Sequence, residues 1–152
     1  MISEEKKRAL QQFLSIPDED MEDIKESSWN DNALEIYNEE YLVLTEAEAD
    51  DDAAEEIKRT LWAFNSDFIL HHCNNEDMDN FEWDCAKEAL ESVQSSKAEG
   101  ANGLVRALIS NLDEFIDDAI CEDGRGHFLA SYDGDENEEV VDGVTYYIYR
   151  IN

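Results

Sequence analysis

The chain has 152 residues, with 40 acidic against 11 basic side chains and a formal net charge of −29. Hydrophobic residues make up 42 % and aromatics 10 %, enough to build a core, which excludes wholesale disorder. The charge excludes direct binding of nucleic acid or an anionic membrane and exceeds what solubility asks of a small domain, so it points to a basic partner. The length is that of one domain, residues 1–152.

Ser3 is placed to cap a first helix over about residues 4–14, with Leu10, Phe13 and Leu14 on one side. It holds the only basic cluster, Lys6, Lys7 and Arg8. Pro17 suits the first position of a second helix, with Met21 and Ile24 inward. After a loop at 27–32, the runs 34–37 and 41–44 flank Asn38-Glu39-Glu40 and read as a β-hairpin. Thr45 and Glu48 then form a capping box for a helix over about 46–64. Seven carboxylates fall within the eleven residues 46–56. Early in a helix they favour its dipole, but so many also repel one another. Ala47, Ala54, Ile57, Leu61 and Phe64 recur at helical spacing as the inner face.

Asn65 or Ser66 caps a short helical piece through Phe68, Ile69 and Leu70, and 74–79 is turn-like. Phe81, Cys85, Ala89 and Val93 predict a helix over about 80–95, followed by a linker at 95–103. Leu104, Leu108, Leu112, Phe115 and Ala119 predict one long, largely buried helix over about 103–122, stopped by Gly124. Past Phe128–Tyr132, the runs 138–141 and 144–151 flank Asp142-Gly143, the signature of a type I′ hairpin. The sum is an α+β fold of four or five helices with a small antiparallel sheet and a C-terminal β-hairpin.

Charge is uneven along the chain. Residues 17–56 hold seventeen acids and one base, Lys25, which is more than half of the net charge. Glu48, Asp51, Asp52, Glu55 and Glu56 stand at helical spacings of about 5–6 Å, close to the phosphate spacing along a nucleic-acid strand. Asp113, Asp117 and Asp118 repeat the pattern later, and Asp18 to Asp23 add to it. These residues are the candidate partner-binding site. A solvated acidic face is the plain alternative for any single helix; the total charge favours a basic, nucleic-acid-binding protein as the partner.

Other constellations carry less. Cys73, Cys85 and Cys121 are widely spaced, residues 1–16 have no signal-peptide pattern, and no apolar run spans a bilayer. Free, mostly buried thiols in the cytoplasm are expected. Asp133, Asp135 and Asn137 match the first three oxygen positions of a calcium loop, but Glu138 stands where Gly is needed and Val144 where the bidentate Glu is needed. His71, His72, Cys73, Cys85 and His127 lack zinc-site spacing. His127, Ser131 and Asp133 lie too close in sequence for an ordinary triad. Arg125 reads as a dipole partner at a helix C-terminus. No catalytic residue, metal or cofactor is assigned.

The segments EYLVLTEAEADDDAAEE with LWAFN, LDEFIDDAICEDGRGHFLASYDG, and YYIYRIN resemble a family of small acidic proteins encoded by bacteriophages and mobile elements. The resemblance covers about residues 40–65 and 112–152. It implies a phage accessory protein in a bacterial cytoplasm and carries no activity and no site residue. Phage proteins of extreme negative charge include DNA mimics that inhibit restriction, CRISPR or nucleoid proteins. The leading expectation is therefore a non-enzymatic, DNA-mimic-like inhibitor of a basic host protein. One alternative is a phage interaction or structural module with incidental acidity, dimerising through Tyr146 to Tyr149. Another is a metal protein or enzyme centred on residues 125–135.

Overall fold

Five antiparallel strands in the order β1-β2-β3-β5-β4 carry the first of two structural units in the computed structural model, which describes Met1–Asn152. This unit comprises Met1–Ala54 and Asp123–Asn152; the second is Glu55–Glu122. With seven α-helices and a sheet that ends in a hairpin, the chain is α+β.

In the first unit, α1 (Glu4–Leu14) is capped by Ser3, whose side chain accepts from the Lys6 N–H. Pro17 caps a 3₁₀ turn, Asp18–Asp23, rather than opening an α-helix. The strands are β1 (Lys25–Glu26), β2 (Ala33–Ile36), β3 (Glu39–Leu44), β4 (Asn137–Val141) and β5 (Val144–Arg150). Alternation sends Leu34, Ile36, Tyr41, Val43 and Ile148 to one face, where they pack with Ala9 and Leu10 of α1. Ala33, Leu42, Leu44 and Tyr149 point to the other face and are also buried. The β2–β3 turn is Tyr37-Asn38, with φ of 53° and 65°, not the expected Asn38-Glu39-Glu40. Both residues are left-handed, as a two-residue type I′ turn demands, and Asn38 tolerates it well. Asp142-Gly143 makes the C-terminal turn the same way, with φ of 52° and 81°.

Helix α2 (Glu46–Arg59) follows β3. The capping box is formed: Thr45 N–H donates to Glu48 Oε2 at 2.9 Å, and Glu48 N–H to Thr45 Oγ1 at 3.4 Å. The helix buries Ile57 as expected, but Ala49 and Ala53 take the inner positions in place of Ala47, which is exposed, and Ala54, which is half-buried. It ends at Arg59, short of the expected 64, and a 3₁₀ turn, Leu61–Ala63, follows.

The second unit is helical: α3 (Ser66–His71), α4 (Asn80–Lys97), α5 (Asn102–Leu108) and α6 (Leu112–Asp123). Ile57, Leu61, Ile69, Val105 and Phe115 are fully buried. Phe115 packs edge-on to Phe64, Phe68 and His72, with centroids 4.9–5.1 Å apart. Gln94 Nε2 donates to the Trp62 and Phe64 carbonyls, and Asn102 Nδ2 to the Lys58 carbonyl, so three carbonyls at and just past the end of α2 find side-chain donors.

The single helix expected over 103–122 is two helices. Ile109 turns extended and bridges to Cys73, Ser110 N–H donates to the His72 carbonyl, and Asn111 caps α6 through the Glu114 N–H. Nor is the first of the two largely buried: Leu104 is 47 % and Leu108 42 % exposed. The expected 95–103 linker is the end of α4, a 3₁₀ turn at Ala98–Ala101 and the start of α5. Gly124, at φ 79°, stops α6 and leads into α7 (Arg125–Leu129), which belongs to the first unit.

Candidate functional site

Negative charge can reach a partner only where it is exposed and not already neutralised. Eight of the eleven basic side chains, Lys6, Lys7, Arg8, Lys58, Arg59, Lys87, Arg125 and Arg150, are held in ion pairs within the chain. The whole basic cluster of α1 is among them: Lys6 on Glu48, Lys7 on Glu4, Arg8 on Asp142. Most of the 40 carboxylates have no base left to meet.

The candidate residues divide accordingly. Asp51, Asp113 and Asp117 are exposed and carry no ion pair. Glu55 is exposed beside Lys58 at 3.1 Å, and Glu56 is paired with Arg59. Asp118 is exposed, with an oxygen 3.1 Å from His72 Nε2. Asp52 is half-buried. Glu48 serves the fold itself, closing the capping box and taking buried Lys6 at 2.7 Å. Burial raises its pKa, but the bonds from Lys6 and Thr45 outweigh that and hold it below the usual range.

A second acidic feature was hidden in the hairpin register. Because the turn is Tyr37-Asn38, Glu35 lies directly opposite Glu40. Like charges so placed destabilise a sheet. Both line an open notch of about 520 Å³ with Asp23 and Tyr37, against one base, Lys25. Trp29, 63 % exposed, donates its Nε1–H to Glu40 at 3.0 Å. Only the correct two-residue turn would have brought these carboxylates together on paper.

Arg125 is the opposite case: a cation buried among acids. It is the first residue of α7, not a partner for a helix C-terminus, and its side chain is 9 % exposed. Glu136 takes Nε at 2.9 Å and Nη2 at 3.1 Å, while Glu46 and Asp50 take Nη1 at 3.1 and 2.9 Å. Tyr147 lies under the guanidinium at 4.4 Å. Burial opposes the charged form, but Glu136 and Asp50 override it and raise the pKa further. Tyr149 donates to Glu136 at 2.6 Å; burial and that bond push the phenol up. Gly126 fits the adjoining loop so closely that a Cβ would lie 2.4 Å from the Gly134 carbonyl oxygen. Arg125 and Gly126 thus anchor the start of α7 to the 133–136 loop.

The remaining constellations do not converge. Ser131 Oγ donates to the Ile151 carbonyl, and the His127 ring lies edge-on to Phe128. Asp133 accepts from the Asp135 N–H in a turn of its own. No group of three or more His, Cys, Asp or Glu side chains is placed to hold a metal. The thiols are free, but Cys85 and Cys121 are exposed and only Cys73 is half-buried, contrary to the expected burial. Cys85 lies on α4, which buries Leu90 alone, and Cys121 lies near the end of α6, off the side that buries Phe115, Ile116 and Ala119. No helix is long and apolar enough to cross a membrane.

The second unit also holds an open apolar groove of about 380 Å³ between α4 and α5. Its walls include Ala86, Leu90 and Val93 on one side and Leu104 and Leu108 on the other. No protein-family model, curated protein or solved structure matches the chain.

Proposed function

We propose that this chain is an acidic, DNA-mimic-like inhibitor that binds a basic, nucleic-acid-binding protein of a bacterial host. The observation that supports it most is the internal commitment of eight of the eleven bases while carboxylates stay exposed on rigid helices. Asp51 and Glu55 stand at i and i+4 on α2, and Asp113 and Asp117 at i and i+4 on α6. Such pairs lie about 5–6 Å apart. A Lys/Arg groove built for phosphates would accept them and release its condensed anions, so binding weakens steeply with salt. Opposed Glu35 and Glu40 support the same reading, since the fold keeps a repulsive pair that stability alone would not select.

The phage setting, with anti-restriction or anti-CRISPR counter-defence as the biological role, rests on the resemblance of the acidic-helix and GRGHFLASYDG segments. No catalysis is proposed. A reversed variant, D51K/D52K/E55K/E56K, tests the reading: it retains the wild-type circular dichroism and loses salt-labile capture of basic proteins. Capture unchanged by the reversal contradicts it. The open α4–α5 groove favours a second reading, a phage interaction module in which the acidity is incidental.

A further inference from the structure

We infer that the α4–α5 groove is the docking site for an amphipathic basic helix of the partner, whose apolar side chains enter it while its Lys and Arg residues meet the carboxylates beside Met78 and on α4. The inference rests on the basic-partner reading and adds a second recognition feature to it.

The groove lies between two helices whose apolar stripes are only partly buried. Helix α4 is 18 residues long, yet only Leu90 is buried. Ala86, Leu90 and Val93 recur at i, i+4 and i+7 along one wall, and Leu104 and Leu108 at i and i+4 along the other. Met78 lines the same groove and is 37 % exposed. Two ridged helical walls with a trough between them are what a third helix packs into. Leu104 and Leu108 stay exposed along this trough, so a third helix packed there would remove their apolar surface from water.

Charge selects the cover. Glu76, Asp77, Asp79 and Glu82 are exposed around Met78 and the first turn of α4. Residues 75–99 hold eight acids and two bases, Lys87, itself paired with Asp67, and Lys97, while the facing wall, α5, carries one base, Arg106, and no acid, so the negative charge lies on the α4 side. A second copy of the chain would bring the same carboxylates and another −29 against them. An anionic partner fails for the same reason. A helix with an apolar stripe and basic flanks satisfies both the leucines and the acids.

The test uses the full chain and two labelled synthetic peptides of identical Lys/Leu composition. One places Leu at i, i+3, i+4 and i+7; the other scrambles them around the helix. At physiological salt the first should bind about tenfold more tightly and shift the methyl resonances of Met78, Leu104 and Leu108. The variant L104S/L108S, whose changed side chains are exposed, should stay folded and lose that preference. Equal binding of the two peptides, or a preference that survives L104S/L108S, overturns the groove inference. In that case salt-labile binding of both peptides would still uphold the basic-partner reading. Salt-indifferent binding at Leu104 and Leu108 would instead overturn the basic-partner reading and the basic character assigned to the occupant.

Discussion

Arg125 and Glu136 meet fork to fork, Nε to Oε2 at 2.9 Å and Nη2 to Oε1 at 3.1 Å. This pair ties the start of α7 to the residue before β4, and Glu46 and Asp50 join the same guanidinium to the first turns of α2. The most acidic helix of the chain is thereby fixed by the most buried arginine.

Arg125→Met should therefore destabilise the first unit by about 2–3 kcal/mol, since the guanidinium is buried while Glu46 and Asp50 remain largely solvated. Arg125→Lys should recover part of the loss, because it keeps the charge without the fork. The deficit should depend on pH. Glu46 is held low by its bond from Tyr147 and by Arg125; Glu136 is held low despite burial by Arg125 and Tyr149. Depressed carboxylates stabilise the fold fully above the unfolded glutamate pKa of about 4.3. That contribution fades as pH falls through the lower folded-state values. Thermal melts should show a full wild-type advantage at neutral pH and almost none once both glutamates are protonated. A pH-independent gap would contradict the assignment.

Gly126→Ala should cost about 2–3 kcal/mol through overpacking, because the added Cβ meets backbone atoms of Gly134, Asp135 and Glu136, not a flexible side chain. The displaced loop should carry Glu136 off Arg125. Chemical denaturation measures the loss, and double-mutant coupling with Arg125→Met should be non-additive. Additive effects would separate the loop from the cluster.

Self-repulsion should also be visible without any mutation. Between about 0.01 and 0.15 M salt the Debye length shrinks from about 30 to about 8 Å. A chain at −29 should then gain about 1 kcal/mol or more, roughly 2–4 °C in Tm. A Tm that falls with added salt would mean that internal ion pairs outweigh repulsion.

Much of this architecture is written locally. Ser3, the Thr45–Glu48 box, Asp142-Gly143 and Gly124 act through neighbouring backbone, so their roles are legible from the chain. What depends on distant partners is not. Arg125 next to a helix end reads as a dipole partner until Glu46 and Asp50 arrive from far along the chain. The leucine repeat through 103–122 hid Ser110-Asn111, itself a capping signature, whose groups are drawn to His72 and Glu114. The same repeat predicted burial for Leu104 and Leu108, but periodicity cannot say whether a facing helix exists to cover them. At the candidate site, exposed Asp51, Asp113 and Asp117 were readable from spacing; the engagement of Glu48 by Lys6 and the Glu35–Glu40 opposition were not.

The most direct measurement is capture from bacterial lysate on immobilised protein at low salt, followed by a salt step. The account predicts that basic nucleic-acid-binding proteins are retained, elute as ionic strength rises, and are lost with D51K/D52K/E55K/E56K. Retention of no such protein, or retention that neither salt nor the charge reversal disturbs, would contradict it.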